Sequence, residues 1–169
     1  MSEGKRFPLA EAEVIAAKYI GLLAPVCSRV MVAGSIRRRK PEVGDIEICC
    51  IPRQDTLFFP VLGAVIKDGP RFKQYELEEG IKLDLFLVLP LAEWGVLYTI
   101  RTGPPEFSRK IVTQRNKGGL LPNFMAVKDG ALWRGGGRGC TIGDQKIPTP
   151  EETDFFQAIG LDWIKPEKR

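Results

Sequence analysis

Two acidic residues spaced two apart in a β-branched apolar run, and a third inside a second such run, constrain this chain more than anything else in it. Asp45 and Glu47 open the segment 45–51, and Asp84 lies within 81–89 amid Leu83, Leu85 and Phe86. Alternate side chains of a strand leave the same face, so Asp45 and Glu47 point the same way. A lone carboxylate in an apolar strand is costly to bury. Two readings follow. Either the acids sit on the solvated faces of edge strands, or all three converge where cations bridge them. The second is the arrangement in which two divalent ions about 3.5–4 Å apart clamp the attacking and leaving oxygens of an in-line displacement.

The residues just before the pair favour convergence. Residues 29–33 read as a strand ending at Gly34-Ser35, ahead of Arg37, Arg38, Arg39 and Lys40. A strand that stops at a small Gly-Ser turn offers backbone N–H groups to phosphate oxygens, and nearby cations suit the same anion. Alone, the basic run also fits a solvated surface. Beside the turn and the acids it makes one coherent site for a nucleoside triphosphate.

Gly34-Ser35-Ile36-Arg37-Arg38, Gly44-Asp45-Ile46-Glu47 and Leu83-Asp84-Leu85 resemble the palm of the DNA polymerase beta (family X) nucleotidyltransferases. The likeness continues through Gly95-Val96-Leu97-Tyr98, Thr102-Gly103-Pro104-Pro105-Glu106-Phe107, Pro148-Thr149-Pro150-Glu151-Glu152 and Gly160-Leu161-Asp162-Trp163. It covers nearly the whole chain, from about Val26 onward.

The resemblance implies an α+β fold: a palm with a mixed β-sheet and helices over 1–91, and a small C-terminal α+β subdomain over 92–169 for nucleotide and template. It implies two Mg²⁺ ions, replaceable by Mn²⁺, on Asp45, Glu47 and Asp84, with Asp84 serving the acceptor 3′-hydroxyl. Glu47 stands where many members carry Asp. Nucleotide contacts are expected from Gly34, Ser35, Arg38, Gly44, Thr102, Gly103 and Ser108, and DNA contacts from Lys82, Arg109, Arg115 and Lys117. The family's Thr-Gly turn carries a cis peptide, and here Pro104 follows Gly103. Ile100-Arg101 replaces an aromatic pair that crowds a ribose 2′-hydroxyl, so reduced deoxyribose selectivity is expected. The usual helix-hairpin-helix module has no room before Val30, and an accessory DNA-binding protein would compensate.

Composition sets wider bounds. The chain has 169 residues, 44% of them hydrophobic, enough for one domain or two small subdomains. No apolar stretch approaches a membrane span, and no signal core follows the first residues, so a cytoplasmic location is expected; separately, the chain is expected to be a monomer. Cys27, Cys49, Cys50 and Cys140 lack metal-site spacing and there is no histidine, which argues against zinc and against Ser-His or Cys-His nucleophiles. Cys49 and Cys50 read as small apolar residues on opposite faces of one strand. The net charge of +4 beside an acidic site suits a polyanionic partner.

The local pattern predicts a helix over 11–23 with Val14, Ile15, Ile20 and Leu23 as its apolar face, and a helix over 56–67 despite Pro60. It predicts a hairpin from 72–77 and 81–89 around Glu78-Glu79-Gly80, then helices over 91–100 and 106–115, the second carrying Arg109, Lys110, Arg115 and Lys117. A second hairpin over 125–133 turns on Asp129-Gly130. A glycine-rich loop over 135–139 follows, flanked by Arg134 and containing Arg138. Thr149 caps a last helix that Gly160 closes. Trp133 and Trp163 read as packing residues.

The function that follows is a minimal metal-dependent DNA polymerase working on primer-template or gapped DNA in repair-type synthesis. Two alternatives remain at this stage. One is a template-independent terminal transferase, or a transferase to another acceptor. The other is a non-catalytic protein that binds DNA ends.

Overall fold

The computed structural model describes residues 5–56, 59–135 and 145–169, and they divide into two compact units, Met1–Leu89 and Pro90–Arg169. The expected boundary fell two residues later.

Unit 1 opens with β1 (Phe7–Pro8), followed by helix α1 (Leu9–Leu23). Ala12, Ile15, Ala16, Tyr19 and Leu23 recur at helical spacing and are buried. Val14 lies off that stripe and is 72% exposed, so it does not belong to the apolar face expected of it. Strands β2 (Cys27–Val32), β4 (Asp45–Pro52), β5 (Ala64–Asp68), β6 (Phe72–Glu76) and β7 (Lys82–Leu87) form one sheet in the order β2-β4-β7-β6-β5. Only β4 and β7 run parallel; the other neighbours are antiparallel. The short helix α2 (Gly34–Arg37) follows β2, and β3 (Glu42–Val43) pairs with β1.

One face of the sheet packs on α1. Ile46, Ile48 and Cys50 of β4 and Leu83, Leu85 and Leu87 of β7 join the α1 residues in one core. The intervening residues, Asp45, Glu47 and Cys49 on β4 and Lys82, Asp84 and Phe86 on β7, belong to the other face. Cys49 and Cys50 therefore alternate as expected, and both are buried.

The helix expected over 56–67 is replaced. Residues 57–58 lie outside the described residues, and Ala64–Asp68 is an exposed edge strand. Pro60 cannot supply a helical N–H, and β-branched Val65 and Ile66 favour a strand. Gly63 lets the chain approach β6 closely: an added Cβ would sit 2.4 Å from the Glu76 carbonyl oxygen.

Unit 2 contains α3 (Trp94–Thr102), α4 (Pro105–Val112), the antiparallel sheet β10-β9-β8 and α5 (Glu152–Ala158). Strands β8 (Met125–Lys128) and β9 (Ala131–Arg134) meet at Asp129-Gly130, and β10 is Gln145–Ile147. Both turn residues have positive φ, 53° and 73°, as a type I′ hairpin requires. Val96, Ile111, Leu121, Met125, Leu132, Phe155, Phe156 and Ile159 form a separate core. Helix α4 stops before Arg115, which with Lys117 lies on a 3₁₀ turn and not on the helix expected for them. The Thr149 cap is also displaced. Glu151 is the N-cap, and its N–H donates to Asp154 Oδ2 at 2.8 Å. The loop expected over 135–139 falls largely outside the described residues, as does Cys140.

Candidate active-site face

The parallel register of β4 and β7 decides where the acids go. Asp45 lies opposite Lys82 and Glu47 opposite Asp84. Directly paired residues share a face, so Asp45, Glu47, Lys82 and Asp84 all leave the side of the sheet away from the α1 core. The antiparallel β6–β7 register adds Gln74 opposite Asp84. Gln74 Nε2 donates a hydrogen bond to Asp84 Oδ1 at 2.7 Å. The residues alone did not single out Gln74. Its signal was the alternation of β6, readable only once the hairpin register was known.

The Gly34-Ser35 turn abuts this face. The Ala33 N–H donates to the Glu47 carbonyl at 2.7 Å, tying the end of β2 to β4. Gly34 has φ +55°, and a Cβ there would fall 1.6 Å from Glu47 Oε2. Glycine is required twice over, by conformation and by the carboxylate against it. Gly44 has open space around its Cβ position, so packing does not demand glycine there. Ser35 Oγ is buried and has no hydrogen-bond partner among the described residues.

The charges confirm that these groups feel one another. Loss of solvent at its carboxyl pushes Asp45 above its ordinary pKa, the negative charge of Asp84 pushes it further, and Arg38 and Arg6 oppose. Partial burial draws the Arg38 guanidinium down, against the pull of Glu47 and Asp45. Arg38, Asp45, Glu47 and Asp84 thus form one electrostatic group. As the side chains stand, however, no three acids, cysteines or histidines among the described residues are gathered into a set that could hold a metal ion. Asp84 is engaged by Gln74, and Glu47 rests against Gly34.

The remaining expected site residues lie in unit 2. Thr102 ends α3 fully buried. A Cβ on Gly103 would meet Phe107 Cδ1 at 2.5 Å and Ser108 Oγ at 3.0 Å. The cis peptide expected in this turn is absent; among the described residues the cis bond is Pro90–Leu91. Extended Gly103 (φ −72°, ψ 158°) and Pro104 (φ −64°, ψ 160°) already break the chain between α3 and α4 with trans bonds. Ser108 Oγ donates to the Ile100 carbonyl at 2.5 Å. Arg109 and Lys117 are exposed. Arg115 instead braces its own unit, donating to the Leu120 and Ile159 carbonyls at 3.2 and 2.8 Å.

No family model matches this sequence, and no curated protein sequence does. Among solved structures it is similar to polymerase beta of Leishmania infantum, determined as a ternary P/T complex. The TM-score is 0.73 at 16% identity, covering 98% of this chain and 77% of that one. The fold is therefore polymerase beta-like, a mixed α+β architecture with a five-stranded mixed sheet. No helix among the described residues is long and apolar enough to cross a membrane.

Proposed function

We propose that the chain is a nucleotidyltransferase of the DNA polymerase type, transferring a nucleotide from a nucleoside triphosphate to a DNA 3′-hydroxyl with release of pyrophosphate. The observation that carries this reading is the β4–β7 register, which sets Asp84 opposite Glu47 on the face that also bears Asp45. The structural neighbour's ternary P/T complex supports DNA and nucleotide as ligands.

The chemistry of the donors suits Mg²⁺, although as the side chains stand the three carboxylates are not gathered around one point. The donors are carboxylate oxygens, the hard ligands this cation selects. Asp45 is raised by loss of solvent at its carboxyl and then by the charge of Asp84, which a divalent cation at this face would offset. Asp45 and Glu47 would hold both ions, and Asp84 the one nearer the acceptor hydroxyl. Held there, such ions would polarise the phosphoryl oxygens and lower the pKa of the attacking hydroxyl. Ser35 supplies a buried hydroxyl with hydrogen-bonding capacity to spare. Arg38 supplies a planar cation suited to phosphate. In unit 2, Thr102-Gly103 and Ser108 are proposed nucleotide contacts, and Arg109 and Lys117 DNA contacts.

Primer extension with and without a template strand, in Mg²⁺ and in Mn²⁺, tests the reading. Asp45→Ala and Asp84→Ala should abolish incorporation in a protein that stays folded. Arg38→Ala should weaken nucleotide binding by about 1.5–3 kcal/mol, the worth of a hydrogen bond to a charged group, with DNA affinity little changed. Extension by Asp84→Ala at the wild-type rate would remove the two-ion assignment.

A further inference from the structure

A carboxylate that must serve a cation works only if something holds its orientation without consuming its charge. Asp84 has such a partner. Gln74 lies opposite it in the β6–β7 register, and the amide Nε2 meets Asp84 Oδ1 at 2.7 Å. Gln74 itself is half-buried on the face that bears the acids. Across three neighbouring strands the row therefore reads Gln74, Asp84, Glu47.

We propose that Gln74 is a positioning residue for Asp84, fixing its carboxylate as the acceptor-side ligand of the transfer site. The inference rests on the nucleotidyltransferase reading and assigns Gln74 a part in that site. Two features of the geometry support it. The donor is neutral, so Asp84 keeps its full negative charge, whereas an Arg or Lys in this place would compete with a divalent ion. A carboxylate has about four acceptor sites on its two oxygens. One amide hydrogen takes a single site on Oδ1 and leaves the others for a cation and an acceptor hydroxyl. Partners that orient ligating carboxylates commonly matter 10- to 100-fold for metal affinity or activity.

Two variants separate the donated hydrogen from packing. Q74A deletes the amide. Q74E keeps its shape but, ionised, cannot donate. Both should lower kcat for nucleotide incorporation by roughly 10- to 100-fold while leaving nucleotide KM within about twofold. Q74A should also weaken Mn²⁺ binding by the metal-free protein, read from the electron paramagnetic resonance of the free ion. A third arm reads the contact directly. In ¹⁵N-labelled protein, Asp84→Asn should shift the Gln74 side-chain amide resonances, and Asp55→Asn, at an exposed site elsewhere, should not. Wild-type kcat in Q74E, or Gln74 resonances indifferent to Asp84→Asn, would overturn the role of Gln74. A wild-type protein that neither extends primers nor loses Mn²⁺ affinity on Asp84→Ala would instead overturn the function proposed above.

Discussion

Asp45 illustrates how a residue of the proposed site can weigh against the fold that carries it. Its carboxyl is raised above the ordinary value by loss of solvent and by the charge of Asp84. A folded-state pKa above the unfolded one means that the folded protein holds the proton more tightly. The stabilisation is full below the unfolded value of about 3.9 and is lost as pH rises through the raised one. At neutral pH and without divalent ions, Asp45 is therefore a net cost. Asp45→Asn should raise the urea midpoint of the metal-free protein at pH 7, and the gap from wild type should close as pH falls through the carboxylate range. Asp45 as a residue is exposed, so solvent screening keeps the gain modest. A lower midpoint at pH 7 would mean that the acids do not strain the fold. Glu47 shows the complementary case. Its longer side chain is accommodated because Gly34 has no Cβ in the way.

Among the elements, α5 depends most on a single polar cluster. Glu152 is buried in its first turn, and its Oε1 accepts from Arg169 Nη1 at 2.8 Å and from Thr99 Oγ1 at 3.2 Å. Trp163 Nε1 donates to Glu152 Oε2 at 3.3 Å, which accounts for this tryptophan as a structural residue. The Arg169 side chain is 0% exposed, and its guanidinium carbon stands 5.2–5.9 Å from the ring centroids of Phe156, Phe107 and Trp163. Removing one partner of such a buried pair leaves the other charge uncompensated, a loss of about 3–5 kcal/mol. Arg169→Ala should lower stability by that order in chemical denaturation. A loss below about 1 kcal/mol would reduce the pair to the rank of a surface ion pair. The sequence pattern placed α5 correctly but misplaced its start. Thr149-Pro150 has the composition of a cap, yet α3 approaches so closely that the Thr149 carbonyl is spent on the Gly95 N–H at 2.9 Å. A Cβ on Gly95 would lie 2.2 Å from the Glu151 carbonyl oxygen.

At the scale of the whole molecule, each unit carries its own core, one built on α1 and the five-stranded sheet, the other on α3, α4, α5 and the β8–β9 hairpin. The net charge of +4 coexists with a face that bears three acids, so the positive excess is carried elsewhere. If DNA is the partner, its phosphates release counterions on binding, and log affinity should fall linearly with log salt concentration. Titrations of primer-template at several salt concentrations would measure that slope, and Lys117→Ala should reduce it by about 1. An affinity indifferent to salt would argue against a phosphate-binding surface.

The sequence by itself determined what depends on neighbours along the chain. Alternation placed Asp45 and Glu47 on one face and turned Cys49 and Cys50 to opposite ones. Asp129-Gly130 specified its hairpin because both residues tolerate positive φ. Only the tertiary structure decided what depends on residues far apart in sequence. The β4–β7 register set Asp84 against Glu47, and a shift of one residue would have turned Asp84 into the core. The β6–β7 register brought Gln74 to Asp84. The pattern of 56–67 suggested a helix, but pairing with β6 made Ala64–Asp68 a strand, since hydrogen bonds to a neighbouring strand outweigh a weak local preference.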